Sequence, residues 1–179
     1  MNTEKELRSR SEAKLHSSIL RAEATNVVPV VPHHYFAASS SEIRDMFIDG
    51  YFIGTISLSQ SVAEGLSKFL CKRKHLPCPK DHLARVKKLL SESIITPEAK
   101  IAFEKIEESR NEFHHMNENI ESDYSELEDK AKLNVDSLFQ IEEEIFGHSY
   151  SGGKIVPKCP EFWDINTDDT TKVFLRFST

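Results

Sequence analysis

The chain has 179 residues, 39% of them hydrophobic and 29% charged, with a formal net charge of −6. A single domain of this size buries about 70% of the surface its unfolded chain exposes, so it can hold a core of its own. The composition excludes several classes. Gly50–Ala63, the longest apolar run free of charge and proline, has 14 residues, short of the roughly 20 a bilayer crossing needs. The first 24 residues carry charges throughout and lack the apolar segment of a secretory signal. Three cysteines are too few for a disulfide framework and point to a reducing, cytoplasmic setting. Net acidity, taken alone, argues against a generic nucleic-acid or membrane-surface binder.

In chain order, residues 4–24 read as a weakly amphipathic helical arm with Leu7, Leu15, Ile19 and Leu20 as its apolar positions. The VVPVVP segment at 27–32 is extended, because proline disfavours helix at and before itself. Ser39 with Glu42 three residues on forms a capping box. It predicts one helix over about 40–74, flexed at Asp49-Gly50. Its middle is apolar around much of its circumference, as a central bundle helix would be, and Gly54, Ser57, Ser61 and Gly65 form a stripe of small residues for a close neighbour. Asp81 caps a helix to about Ser91, and Thr96-Pro97 opens another with Ile101, Ala102 and Ile106 inward.

A single rod over 97–146 would be about 75 Å long, so the second capping box at Ser109–Glu112 predicts a restart or kink. Beyond it, Ile120, Tyr124, Leu127, Ala131, Val135, Leu138, Ile141 and Ile145 keep helical spacing until Gly147. The tail holds Gly152-Gly153, Pro157, Pro160, the aromatics Phe162, Trp163, Phe174 and Phe177, and a short β-like run at 172–177. The expected architecture is all-α: an arm and linker over 1–39, a bundle of four to five helices over 40–147, and an irregular tail over 148–179 packed on the bundle.

Charge is segregated. Residues 68–88 hold eight Lys or Arg against Asp81, while 98–144 hold fifteen Asp or Glu against five Lys or Arg. A basic end of this kind can bind phosphates on an acidic protein, which makes Lys72, Arg73, Lys74, Arg85, Lys87 and Lys88 candidate nucleic-acid contacts. The bland alternative is a solvated connection between helices. Cys71, His75, Cys78 and His82 could offer zinc four donors, but the alternation of Cys and His is not a usual zinc spacing; no metal or cofactor is expected. Glu64 inside the central helix reads as part of a Gln60, Glu64, Lys68 polar stripe with a helical ion pair.

The most specific string is Arg110-Asn111-Glu112-Phe113-His114-His115. With the small, apolar helix before it, this string resembles the R-(N/D/H)-x3-H signature of the HEPN superfamily, compact helical domains that often act as metal-independent ribonucleases. The resemblance covers about residues 40–147. It implies an endoribonuclease in which a ribose 2′-hydroxyl attacks the adjacent phosphate. Arg110 would hold the phosphate, Asn111 would orient it or a partner, and His115 would move protons near neutral pH. A Ser109 cap would add helix N-terminal amides to the anion site. The family also implies a homodimer, an RNA substrate, a role as a toxin or in stress or defence, and a neutralising protein partner.

On one ideal helix Arg110 and His115 point about 140° apart, so a cleft shared by two copies suits them better than one helix alone. His114, four residues from Arg110, is the same-face alternative. Family toxins modified with AMP carry a tyrosine two residues after the histidine; this chain has Asn117. The alternative to a nuclease is a HEPN-like scaffold or regulatory subunit that binds a protein or nucleotide and cuts nothing.

Overall fold

A computed structural model describes residues 3–25, 29–113, 124–168 and 170–176, with the backbone alone for 109–112. Among them are six α-helices: α1 (Thr3–Glu23), α2 (His34–Asp49), α3 (Phe52–Arg73), α4 (His82–Ser91), α5 (Pro97–Phe113) and α6 (Tyr124–Phe146). Two small antiparallel sheets complete the fold. One joins β1 (Val30–Val31) to β4 (Phe174–Leu175), and the other is a hairpin of β2 (His148–Ser151) and β3 (Lys154–Pro157). The class is all-α, and no helix among the described residues is long and apolar enough to cross a membrane.

The single helix expected over 40–74 is two. Gly50 takes φ +82° and returns its N–H to the end of α2, and a Cβ there would meet the Tyr124 hydroxyl at 2.8 Å. Only glycine fits both demands. The helix before the break starts at His34, earlier than the Ser39 capping box predicts, because Phe36, Ser40, Ile43 and Phe47 already form one buried face. Ser39, Ser40 and Ser41 instead donate to carbonyls four residues back.

Helix α3 is central, packing against α2, α4, α5 and α6. Gly54 meets Met46 and Gly65 meets Phe36 and Tyr35, so the small-residue stripe does receive α2, running antiparallel; Ser61 on that stripe is exposed. Ile56, Leu66, Leu70, Leu89, Phe103, Ile106, Leu138, Ile141 and Phe146 fill the core. The Asp81 and Thr96 caps form as expected, accepting from the Ala84 and Ala99 amides. Ile101, however, is half-exposed, and Phe103 takes the inward place beside Ala102 and Ile106. The predicted restart at Ser109 is absent: α5 runs unbroken to Phe113.

The arm docks by charge rather than by its leucines. Leu7, Leu15, Ile19 and Leu20 stay exposed, while Arg21 is buried, pairing with Glu128 at 2.8 Å, donating to the Ile48 carbonyl and lying over Phe52. The tail is anchored more deeply. Phe162 and Trp163 are buried, and Arg176, just after β4, enters the bundle to meet Glu142 of α6 at 2.5 Å. Glu142 is wholly inaccessible, and its other oxygen accepts from Ser40 at 2.6 Å. Burial pushes the Glu142 carboxyl up, against the pull of Arg176 and Ser40.

Removing one member of a buried ion pair leaves an uncompensated charge. Arg176→Ala should therefore cost about 3–5 kcal/mol in urea unfolding, and most of that loss should return in an Arg176→Met/Glu142→Leu double variant. A loss under about 1 kcal/mol for Arg176→Ala would show that the tail is not integral to the bundle.

Candidate functional site

A set of described polar residues is linked across the seam between α3, α4 and α5. On α4, His82, Arg85, Val86 and Leu89 form the buried face, an i, i+3, i+4, i+7 pattern that places an arginine among core residues. Arg85 is 1% exposed. Its Nε donates to Ser67 Oγ at 3.1 Å, and its Nη1 donates to the carbonyls of Pro79 at 2.8 Å and Lys80 at 2.7 Å. Its Nη2 lies 3.4 Å from His82 Nδ1 and 3.9 Å from Glu64 Oε2. A guanidinium removed from water needs such a set of acceptors, since burial alone costs several kcal/mol.

Glu64 also receives Gln60 Nε2 at 3.2 Å and Lys68 Nζ at 3.5 Å. This is the polar stripe read from the sequence, now extended to Arg85. Gln60 Nε2 reaches further and donates to Glu107 Oε2 of α5 at 2.6 Å. The network therefore crosses all three helices, with α3 in the middle. His82 Nδ1 sits 3.2 Å from Ser67 Oγ, the ring meets Phe103 edge-on, and His82 Nε2 is buried without a hydrogen-bond partner among the described residues. Burial holds the His82 pKa below the usual histidine value; Glu107, the next influence, pulls upward, Arg85 downward, and Glu64 and Asp81 upward again.

Arg110 and Asn111 follow Glu107 at i+3 and i+4 and lie within the helix that begins at Pro97, not at a helix start. The expected gift of helix N-terminal amides to Arg110 is therefore corrected: inside a continuing helix the amides around Arg110 are taken up by carbonyls of the preceding turn. His114, His115 and Asn117 lie outside the described residues.

The basic stretch divides. Arg85 is internal, which removes it as a surface nucleic-acid contact. Arg73 pairs with Asp164, Lys74 with Glu161 at 3.0 Å, and Lys88 with Glu92 at 2.5 Å. Lys72 and Lys87 are exposed. Exposed ion pairs contribute only about 0–1 kcal/mol each, so a polyanion can displace their carboxylates. The four residues weighed for zinc do not converge. His82 turns to Ser67 and Arg85, and no group of three or more His, Cys, Asp or Glu among the described residues could hold a metal ion.

In the sequence Arg85 reads as one of a run of surface cations, and Glu107 carries no mark of a site residue. The face shared by His82, Arg85, Val86 and Leu89 could have revealed the first. Nothing in the spacing of α5 alone marks Glu107, because its partner Gln60 is 47 residues away. Neither family models, curated proteins nor solved structures match the chain.

A histidine whose folded pKa is depressed contributes stability that is complete above its unfolded pKa of about 6.5. That contribution is lost as pH falls toward the lower folded value. His33, also depressed chiefly by burial, acts in the same direction. Urea midpoints should therefore drop below pH 6.5, and His82→Gln should flatten the dependence by up to about 1.4 kcal/mol per pH unit. An unchanged slope in the variant would contradict the burial of a neutral His82.

Proposed function

We propose that the chain is a HEPN-type endoribonuclease, working as a homodimer, with Arg110, Asn111 and His115 at its reacting centre. The observation that carries this reading is the Arg110-Asn111-Glu112-Phe113-His114-His115 run in an all-helical protein, beginning within α5. Support comes from its setting. Glu107, one turn earlier, is tied by Gln60 to the central helix, so this part of α5 is held in fixed register with α3. A rigid support of this kind is what a reacting centre needs, because errors of about 1 Å in placement are costly to catalysis.

In this reading the ribose 2′-oxygen attacks the neighbouring phosphorus while the bond to the 5′-oxygen breaks. One proton leaves the 2′-hydroxyl and another reaches the departing 5′-oxygen. His115 accepts the first proton and, as the imidazolium so formed, supplies the second. Arg110 bears the charge that gathers on the phosphate without help from helix amides, which raises its share of the catalysis. Asn111 orients the phosphate or the histidine. Lys72, Arg73, Lys74, Lys87 and Lys88 attract the RNA backbone, although whole-chain acidity limits that attraction and makes it sensitive to salt.

Purified protein incubated with structured RNA in excess EDTA should yield fragments ending in a 2′,3′-cyclic phosphate. Arg110→Ala and His115→Ala, checked for unchanged helicity, should each cut at least roughly a hundredfold more slowly, with His114→Ala much less affected. Wild-type protein inert toward several RNAs, or His115→Ala cutting at the wild-type rate, would overturn the nuclease reading. The first result would leave the non-catalytic scaffold as the better account.

A further inference from the structure

Two cations at the end of α3 are held in place twice over. Arg73 lies over the ring of Phe69, one turn back on the same helix, at 5.2 Å, and Lys74 lies over the ring of Phe162 at 5.2 Å. Each also meets a carboxylate of the tail: Arg73 pairs with Asp164, and Lys74 with Glu161 at 3.0 Å. Both carboxylates come from one short stretch, the single helical turn Pro160–Phe162 and the residues just after it. That turn has other anchors. Phe162 and Trp163 are buried, and the Phe162 carbonyl lies 3.1 Å from His33 Nε2. The carboxylates are therefore not what seats the turn, and the aromatic faces aim the cations without them. With 61% and 47% of their side-chain surfaces open to water, Asp164 and Glu161 make pairs that are weak by themselves. A cavity of about 400 Å³, bordered by Lys74, Leu76, Ile94, Glu161 and Phe162 among others, gives a second anion room to enter beside Lys74.

We infer that Glu161 and Asp164 are built-in phosphate mimics: they occupy Lys74 and Arg73 in the free protein and yield them to two phosphates of a single-stranded RNA. The inference rests on the basic end as the RNA-binding surface and not on cleavage. A carboxylate and a phosphate compete for the same donors, and the Arg73 guanidinium can take either in a forked geometry. The exchange needs no movement of α3. Incoming phosphates find both cations already seated, while the displaced carboxylates turn toward water. The effect falls on affinity. As the RNA sheds its counterions, the two freed carboxylates take up others, which blunts the release that drives binding. A lone phosphate gains too little at one cation to overcome that loss. A strand offers two phosphates together and reaches further to exposed Lys72.

Binding of the full chain to a labelled 2′-O-methyl single strand, which lacks the attacking hydroxyl, separates this inference from the nuclease reading. Glu161→Gln/Asp164→Asn should bind at least roughly fivefold more tightly than wild type at low salt. Its slope of log affinity against log salt should steepen by about 1.4, from two phosphate contacts at about 0.7 each. A charge-matched control, Glu12→Gln/Glu23→Gln, removes two exposed carboxylates of α1 and should leave the slope unchanged. Arg73→Ala/Lys74→Ala should cost several times more affinity in the neutralised background than in wild type, because only there are the cations free. At matched ionic strength, inorganic phosphate should weaken the neutralised variant more than chloride does, and wild type no more than chloride does. Should the double variant loosen the tail, Glu161→Gln alone should give about half of the slope change. An equal gain in the α1 control, an unchanged slope, or an equal cost of cation loss in both backgrounds would overturn the mimicry. Absence of binding by all of these proteins would overturn it together with the RNA-binding surface. The expected coupling without cleavage of an ordinary RNA strand would leave it standing and remove the nuclease reading alone.

Discussion

A guanidinium with 1% of its surface exposed must find its acceptors inside the protein, and much of this structure depends on where Arg85 finds them. Its position on α4 is set by helical phase alone. Satisfying it fixes Ser67 and Glu64 of α3 on one side and the Pro79 and Lys80 carbonyls on the other. The same contacts therefore dock α4 on α3 and shape the connection between them. Through Glu64 and Gln60 they continue to Glu107, so α5 is tied into the same set. Hydrophobic burial supplies most of the driving force for the bundle, but it is nearly indifferent to small slips along the helix axes. Directional contacts at Arg85 and Gln60 restrict those slips.

A second buried charge does comparable work between α2, α6 and the tail. Glu142 and Arg176 are both inside, and Arg176 stacks on Phe139 of the same helix. The short pairing of Val30 and Val31 with Leu175 and Phe174 would be marginal by itself. The ion pair makes the linker before α2 and the end of the chain one packed layer, and Ser40 joins α2 to it. Two separate polar knots, each joining segments far apart in sequence, thus hold a largely apolar core in one arrangement.

Local signals were the legible part of this sequence. Asp81 and Thr96 caps, the spacing of α6 from Leu127 to Ile145 and the stop at Gly147 all depend on neighbours within a turn, and each appears where the spacing predicts; Ile120 lies outside the described residues, and Tyr124 is exposed. Errors arose where a distant partner outweighs a local signal. The Ser39 capping box yields to burial of Phe36, and the Ser109 box lies inside a helix that continues to Phe113. The sequence marks Gly50 as a flex point but not as a full break, in which Gly50 turns left-handed to cap α2 and its carbonyl accepts from Tyr124, 74 residues on. Arg85 and the lysines around it form one charge run in sequence, yet only the fold separates a core residue from surface ones.

The proposed chemistry needs two copies of a short motif that begins within α5, since Arg110 and His115 serve one phosphate better from two chains than from one. A hybrid dimer, purified through a different tag on each subunit, tests this most directly. One subunit carries Arg110→Ala and the other His115→Ala, so a shared cleft retains one arginine and one histidine. The account predicts RNA cleavage well above that of either mutant homodimer. Cleavage no greater than that of the two homodimers would contradict it.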